Sequence, residues 1–191
     1  MTASRNVSRN IEIKAFLKHR AAALATAARL SGSGPEIILQ EDIFFRCDGA
    51  RLKLRIFAPD RGELIRYERD NVADARCSRY SIARTADPQV LLDILTQALG
   101  VTGTVKKIRT LYLVGQTRIH IDQVQGLGDF LELEVVLGTA QCSAQDEAEG
   151  RRIAVELLRE FGIGPEELIA EAYVDLLARK PAPQVQPPEV G

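Results

Sequence analysis

The chain has 191 residues, 46% of them hydrophobic and 27% charged, which suits one compact soluble domain or two very small ones. Its 25 Lys and Arg residues meet 26 Asp and Glu residues for a formal net charge of -1, so a sequence-independent attraction to nucleic acid or to an anionic membrane has no surplus of positive charge to draw on. No apolar run approaches the ~20 residues of a membrane helix, Met1 to Asn6 lack the apolar stretch of a secretory signal, and Cys47, Cys77 and Cys142 are scattered without CxxC spacing, which argues for a reducing cytosol over a disulfide framework or a zinc site.

The elements follow in chain order. Asn10 to Lys14 alternates polar and apolar residues and predicts a strand. Lys18 to Leu30 is rich in Ala and Leu and predicts a helix, stopped by Ser31-Gly32-Ser33-Gly34-Pro35. Ile37 to Arg46 and Arg51 to Phe57 read as strands around an Asp48-Gly49 hairpin turn. Pro59 to Gly62 turns the chain into a further strand, Glu63 to Arg69. Asp70 to Ala83 reads as a loop with a short strand near Tyr80-Ser81-Ile82. Asp87 and Pro88 open a helix that runs to Leu99. Strands follow near Thr104 to Val114, Thr117 to Val124 and Phe130 to Leu137. Ser143 and Asp146 open a helix to Phe161, and Pro165 to Ala178 reads as a last one. Residues 1–178 thus form a single domain, and residues 179–191 read as a Pro-rich disordered tail. Short turns between strands predict an α+β fold with a largely antiparallel sheet.

The polar faces of the strands carry the chemistry. Asn10, Glu12 and Lys14 share one face; so do Arg51, Lys53 and Arg55, then Arg118, His120 and Asp122, then Glu132 and Glu134. Lys107 pairs with Arg109 in the same way, and Tyr67 with Arg69. Two arrangements give this pattern. One is a sheet with one face on a core and the other in water. The other is a closed barrel with the charged faces inward. A hollow lined by so many cations would call for a polyanion and a divalent metal. Arginine suits phosphate oxygens, and carboxylates suit Mg²⁺ or Mn²⁺.

The order of these segments resembles the CYTH superfamily of triphosphate tunnel metalloenzymes, which includes class IV adenylyl cyclases, thiamine triphosphatases and inorganic triphosphatases. Glu12-Ile13-Lys14 is similar to the second half of its ExExK signature. Gly49-Ala50-Arg51-Leu52-Lys53-Leu54-Arg55 resembles its G-x-L-K-L-R-type strand, with one extra residue before the Leu. Leu64 to Arg69 resembles the next strand, and Lys107-Ile108-Arg109 the K-x-R strand. Thr117 to Asp122 and Gly126 to Glu134 resemble the acidic strands, and Tyr173-Val174-Asp175-Leu176-Leu177 the C-terminal segment. The likeness spans roughly residues 8 to 178 and is nearest in wording to the class IV cyclase-like branch. One departure stands out: Asn10 occupies the place of the first Glu of ExExK, leaving a neutral, weaker oxygen donor.

The resemblance implies a closed antiparallel β-barrel, or tunnel, of about eight strands with flanking helices. It implies that Glu12, Glu132 and Glu134 hold Mg²⁺ or Mn²⁺. It makes Lys14, Lys53, Arg55, Arg69, Lys107, Arg109 and Arg118 a phosphate clamp, with Lys14, Arg55 and Asp122 as catalytic candidates. Asp122 would orient a cation or a metal-bound water, or form a plain ion pair with Arg118; His120 is either a general base or a structural residue. The implied function is a cytoplasmic adenylyl cyclase turning ATP into cyclic AMP and pyrophosphate. The alternatives are a triphosphate hydrolase and a non-catalytic triphosphate binder. The expected partner is a triphosphate-bearing small molecule, with no nucleic acid and no membrane, and exposed strand edges could pair two copies into a homodimer.

Overall fold

Alternation sends successive side chains to opposite faces of a strand, and the structure, a computed structural model that describes residues 7–70, 72–138 and 143–180, shows where each face goes. The elements run β1 (Ser8–Phe16), α1 (Arg20–Ser31), β2 (Glu36–Phe45), β3 (Arg51–Ala58), β4 (Arg61–Arg69), β5 (Arg76–Thr85), α2 (Pro88–Leu99), β6 (Val101–Val114), β7 (Thr117–Val124), β8 (Gly128–Gly138), α3 (Ala144–Glu160) and α4 (Tyr173–Arg179). All strand neighbours are antiparallel, and the order β1-β5-β4-β3-β2-β6-β7-β8 closes when β8 pairs back onto β1. The polar faces point inward.

The apolar faces therefore point out, and the helices cover them. Ile11 and Ile13 of β1, Ile119 and Ile121 of β7 and Leu131, Leu133 and Val135 of β8 are at most 2% exposed. They pack with Ala23 and Ala27 of α1 and Ala154 and Leu158 of α3. A smaller cluster places Ile43, Phe45 and Leu54 beneath Leu91, Leu92, Leu95 and Leu99 of α2. The hydrophobic core thus lies between wall and helices, so the sheet with a wet face is excluded. The helix signals hold: Asp87 accepts from the Val90 N–H with Pro88 behind it, and Ser143 and Asp146 form a capping box. None of the described helices is long and apolar enough to cross a membrane.

Two stretches differ from the sequence reading. β5 is a full strand of ten residues, because β4 and β1 flank it and supply ladders on both sides of a segment whose composition is undistinguished. The last predicted helix is split. After a 3₁₀ turn at Pro165–Glu167 the chain extends, Leu168 bridging Ala15 and the Ile169 N–H donating to the Lys14 carbonyl at 2.9 Å, before α4 begins. Pairing with β1 and burial of Ile169 and Ala172 outweigh helix propensity there. Arg179 closes α4; residues 181–191 of the predicted tail lie outside the described residues.

This extended stretch makes a floor. Ile169, Ala172, Tyr173 and Val174 pack with Phe44, Val105, Val124 and Phe130 across one end of the barrel. Arg51 grips Asp175 with both terminal nitrogens, at 3.0 and 2.6 Å, and pins α4 to β3. The other end is open, with the Arg84 side chain 89% exposed.

Candidate functional site

Register decides which inward groups meet. Opposed residues share a face: Asp42 stands opposite Arg55, Arg109 opposite Asp122, Lys14 opposite Glu132, His120 opposite Glu132 and Arg118 opposite Glu134. The cavity inside the barrel is about 350 Å³, within the ~300–1,000 Å³ of small-molecule sites. Lys14, Lys53, Arg55, Arg69, Lys107, Arg109 and Arg118 all line it, as do Glu12, Glu132 and Glu134.

The cations come with built-in counter-charges. Asp42 accepts from Lys53 Nζ at 2.7 Å and from Arg55 Nε and Nη2 at 2.7 and 3.0 Å. Asp122 accepts from Lys107 Nζ at 2.9 Å, from Arg109 Nε and Nη2 at 2.7 Å each, and from the Tyr173 hydroxyl at 3.1 Å. Glu132 takes a hydrogen bond from Arg109 Nη2 at 2.7 Å and lies 3.6 Å from Lys14 Nζ. Glu12 accepts from Arg69 and, at 3.1 Å, from Arg76 Nε. Lys14 and Lys107 also sit over the Tyr173 ring, 4.1 and 5.1 Å from its centroid.

Burial and these neighbours set the charges. Burial pulls Lys14 down to about 8 and, with Arg55 beside it, Lys53 down to about 7. Burial alone would raise the Asp42 and Asp122 carboxyls, but Arg55 and Lys53 in one case, and Arg109 and Lys107 in the other, outweigh it and hold both acids below the ordinary range. Glu132 is held low against its burial by Lys14 and Arg109. Glu134 is pushed up by burial and by the Glu132 charge next to it. Burial, then Arg109, drives His120 well below its usual value, so the imidazole is neutral.

The predicted residues divide into three groups. The seven cations converge. Glu132 and Glu134 form an acidic corner with His120, whose ligand atoms all lie within 4.8 Å of one another. A neutral imidazole and two carboxylates are a donor set that fits a divalent ion. Glu12 is instead engaged by Arg69 and Arg76, and Asp122 does not line the cavity: it lies inside the barrel beneath Lys107 and Arg109, fully buried, and fixes both of them and the Tyr173 hydroxyl. The alternative pairing of Asp122 with Arg118 is not formed; Arg118 lies 3.6 Å from Glu134. Asn10 lines the cavity, and its buried Oδ1 finds no hydrogen-bond partner among the described residues.

Sequence reasoning missed Asp42 and Arg76. Asp42 follows two other polar residues, Gln40 and Glu41, so no alternation marks which of them turns inward. Arg76 fell in the stretch read as loop and left no signal.

The CYTH domain family profile matches residues 8–173. No curated protein matches the chain in sequence. Among solved structures, a protein of Pyrococcus horikoshii OT3 superposes with a TM-score of 0.73 at 21% identity, covering 87% of this chain and 98% of its own. A candidate adenylate cyclase from Vibrio parahaemolyticus gives 0.69 at 19% identity, with 92% and 99% covered. A candidate adenylyl cyclase from Hippeastrum, described as having a dominant triphosphatase activity, gives 0.57 at 15% identity, with 90% and 94% covered. At these identities the likeness is one of fold.

Proposed function

Because this chain belongs to the CYTH domain family, we propose that it is a cytoplasmic, metal-dependent enzyme acting on an organic triphosphate, in the first reading an adenylyl cyclase that converts ATP to cyclic AMP and pyrophosphate. The observation that carries the proposal is the convergence of seven cations, two carboxylates and a neutral histidine on one blind cavity. Lys14, Lys53, Arg69, Lys107 and Arg109 grip phosphate oxygens toward the floor, Asp42 and Asp122 holding most of these cations in place beforehand. Arg118 binds nearer the opening, and Ile38, Phe57, Ile82 and Leu111 line the cavity where an inorganic triphosphate would have no use for them.

Glu134, the outer carboxylate of the acidic corner, supports cyclisation as the first reading. Glu134 faces Arg118 toward the open end, whereas Lys14 and Lys107 lie against Tyr173 of the floor. With the phosphates innermost, Glu134 stands beside the phosphate next to the organic group, while Glu132, 3.6 Å from Lys14, reaches toward the inner ones. A bound Mg²⁺ or Mn²⁺ supplies Lewis-acid polarisation of a phosphoryl oxygen. The ribose 3′-hydroxyl oxygen, its proton passing to solvent, would form the new bond to the α-phosphorus as the bond to pyrophosphate breaks, and Lys14 and Arg55 would stabilise the charge that gathers on the departing group.

Supplying ATP with Mg²⁺ or Mn²⁺ and separating the products tests this. Pyrophosphate with a cyclic nucleotide is the expected outcome. Orthophosphate would make the protein a hydrolase, and calorimetric binding of tripolyphosphate with no product under either metal would make it a binder. Glu132→Gln and Glu134→Gln should each lower metal-dependent turnover about 100-fold; near-normal rates at saturating metal would remove them from the site.

A further inference from the structure

Resting on the reading of the tunnel as a metal-dependent site, we propose that His120 is itself a metal ligand, completing with Glu132 and Glu134 a site of one nitrogen and two carboxylates from which Glu12 is withheld. His120 is 3% exposed, and its Nδ1 finds no hydrogen-bond partner among the described residues. That nitrogen points into the acidic corner, 3.6 Å from Glu134 Oε1 and 4.0 Å from Glu132 Oε2. Buried polar atoms are nearly always satisfied, so a ring nitrogen left open between two carboxylates marks a place for a cation. The register makes the arrangement rigid: β7 and β8 are hydrogen-bonded neighbours, with His120 directly opposite Glu132 and Glu134 two residues along the same face.

Glu12 lies outside this set, whose ligand atoms are within 4.8 Å of one another. Its Oε1 is shared by Arg69 and Arg76, two guanidiniums that supply positive charge without a metal. Asn10, two residues before it on the same face, offers only a neutral oxygen. The metal-binding capacity on the β1 side is thereby reduced, and His120 on the far side of β8 takes it up. An imidazole donor moves preference away from Mg²⁺, which favours oxygen, toward Mn²⁺ and later divalent ions.

The test uses the full chain stripped of metal, with Mn²⁺ alone as the probe. Pulsed electron paramagnetic resonance should show nitrogen-14 coupling from a directly bound imidazole, and His120→Gln should abolish it. By calorimetry, His120→Gln should weaken Mn²⁺ about tenfold or more and Mg²⁺ by less, narrowing the preference between them. Mn²⁺ bound without nitrogen coupling, or no Mn²⁺ bound at all, would overturn the proposal. The wild-type spectrum decides by itself should His120→Gln fail to fold. The two readings fail separately: nitrogen coupling with no product from ATP would leave His120 a ligand and remove the enzyme, whereas product formation on a metal without nitrogen coupling would do the reverse.

Discussion

Asp42 touches two cations at once, and the wall around it offers Lys53 and Arg55 no second carboxylate within hydrogen-bonding range among the described contacts. Removing one member of a buried ion pair strands the other, which costs more than the pair contributes. Asp42→Asn should therefore lower the unfolding free energy by about 3 kcal/mol in a urea titration, and tripolyphosphate should restore part of the loss by replacing the missing charge. An unchanged urea midpoint would show that solvent already screens the pair. The same residue marks the limit of what the sequence reveals. Lys53, Arg55, Lys107, Arg109 and Arg118 were legible because apolar neighbours fix the phase of each strand. Asp42 was not, because Gln40, Glu41 and Asp42 are all polar and only the pairing register shows which of them turn inward. The expectation that such a hollow must contain a polyanion also needs revision: Asp42 and Asp122 let the cations persist without one. His120 was visible as a face residue, but its lack of a partner is a property of three dimensions.

At the scale of elements, the floor depends on close approach. A Cβ on Gly103 of β6 would fall 2.5 Å from Val174 Cγ2 of α4. Gly103→Ala should force α4 away from the barrel at a cost of about 1–3 kcal/mol, seen as a lower melting temperature. It should also weaken tripolyphosphate binding, because Tyr173 would move from Lys14 and from the Asp122 carboxylate. A melting temperature equal to wild type would mean that the floor yields at no cost. Seven of the strands and three of the helices could be read from alternation and from start and stop residues, which act locally. β5 and the break in the last helix could not, because their conformations are set by partners elsewhere in the barrel.

The whole molecule carries almost no net charge yet gathers cations inside, so proton binding and anion binding reinforce each other there. Lys53 at about 7 and Lys14 at about 8 titrate below the ordinary lysine value of 10.5 that they regain on unfolding. The folded state then holds fewer protons, so these lysines should make the ligand-free protein more stable as pH rises from about 7 toward 10.5, levelling above that. Affinity for tripolyphosphate should move the other way, falling as pH climbs through 7 and 8, because the anion needs both ammonium groups charged. Calorimetry at pH 8 in buffers of different ionisation heat should record proton uptake on binding, and its absence would place the anion away from these lysines. Closure of the barrel is what composition and periodicity could not establish. An open sheet with one wet face gives the same alternation, and only the meeting of β1 with β8, from opposite ends of the strand sequence, distinguishes the two.

A chamber with a floor has a single doorway, and that imposes an order of departure. A ligand that goes in phosphates first has its most highly charged fragment lodged behind the remainder, against Lys14, Lys107 and Tyr173. The outer fragment must leave before the inner one can follow. The charged fragment should accordingly be the last to go and the stronger inhibitor when added back, competing with fresh substrate for the same way in.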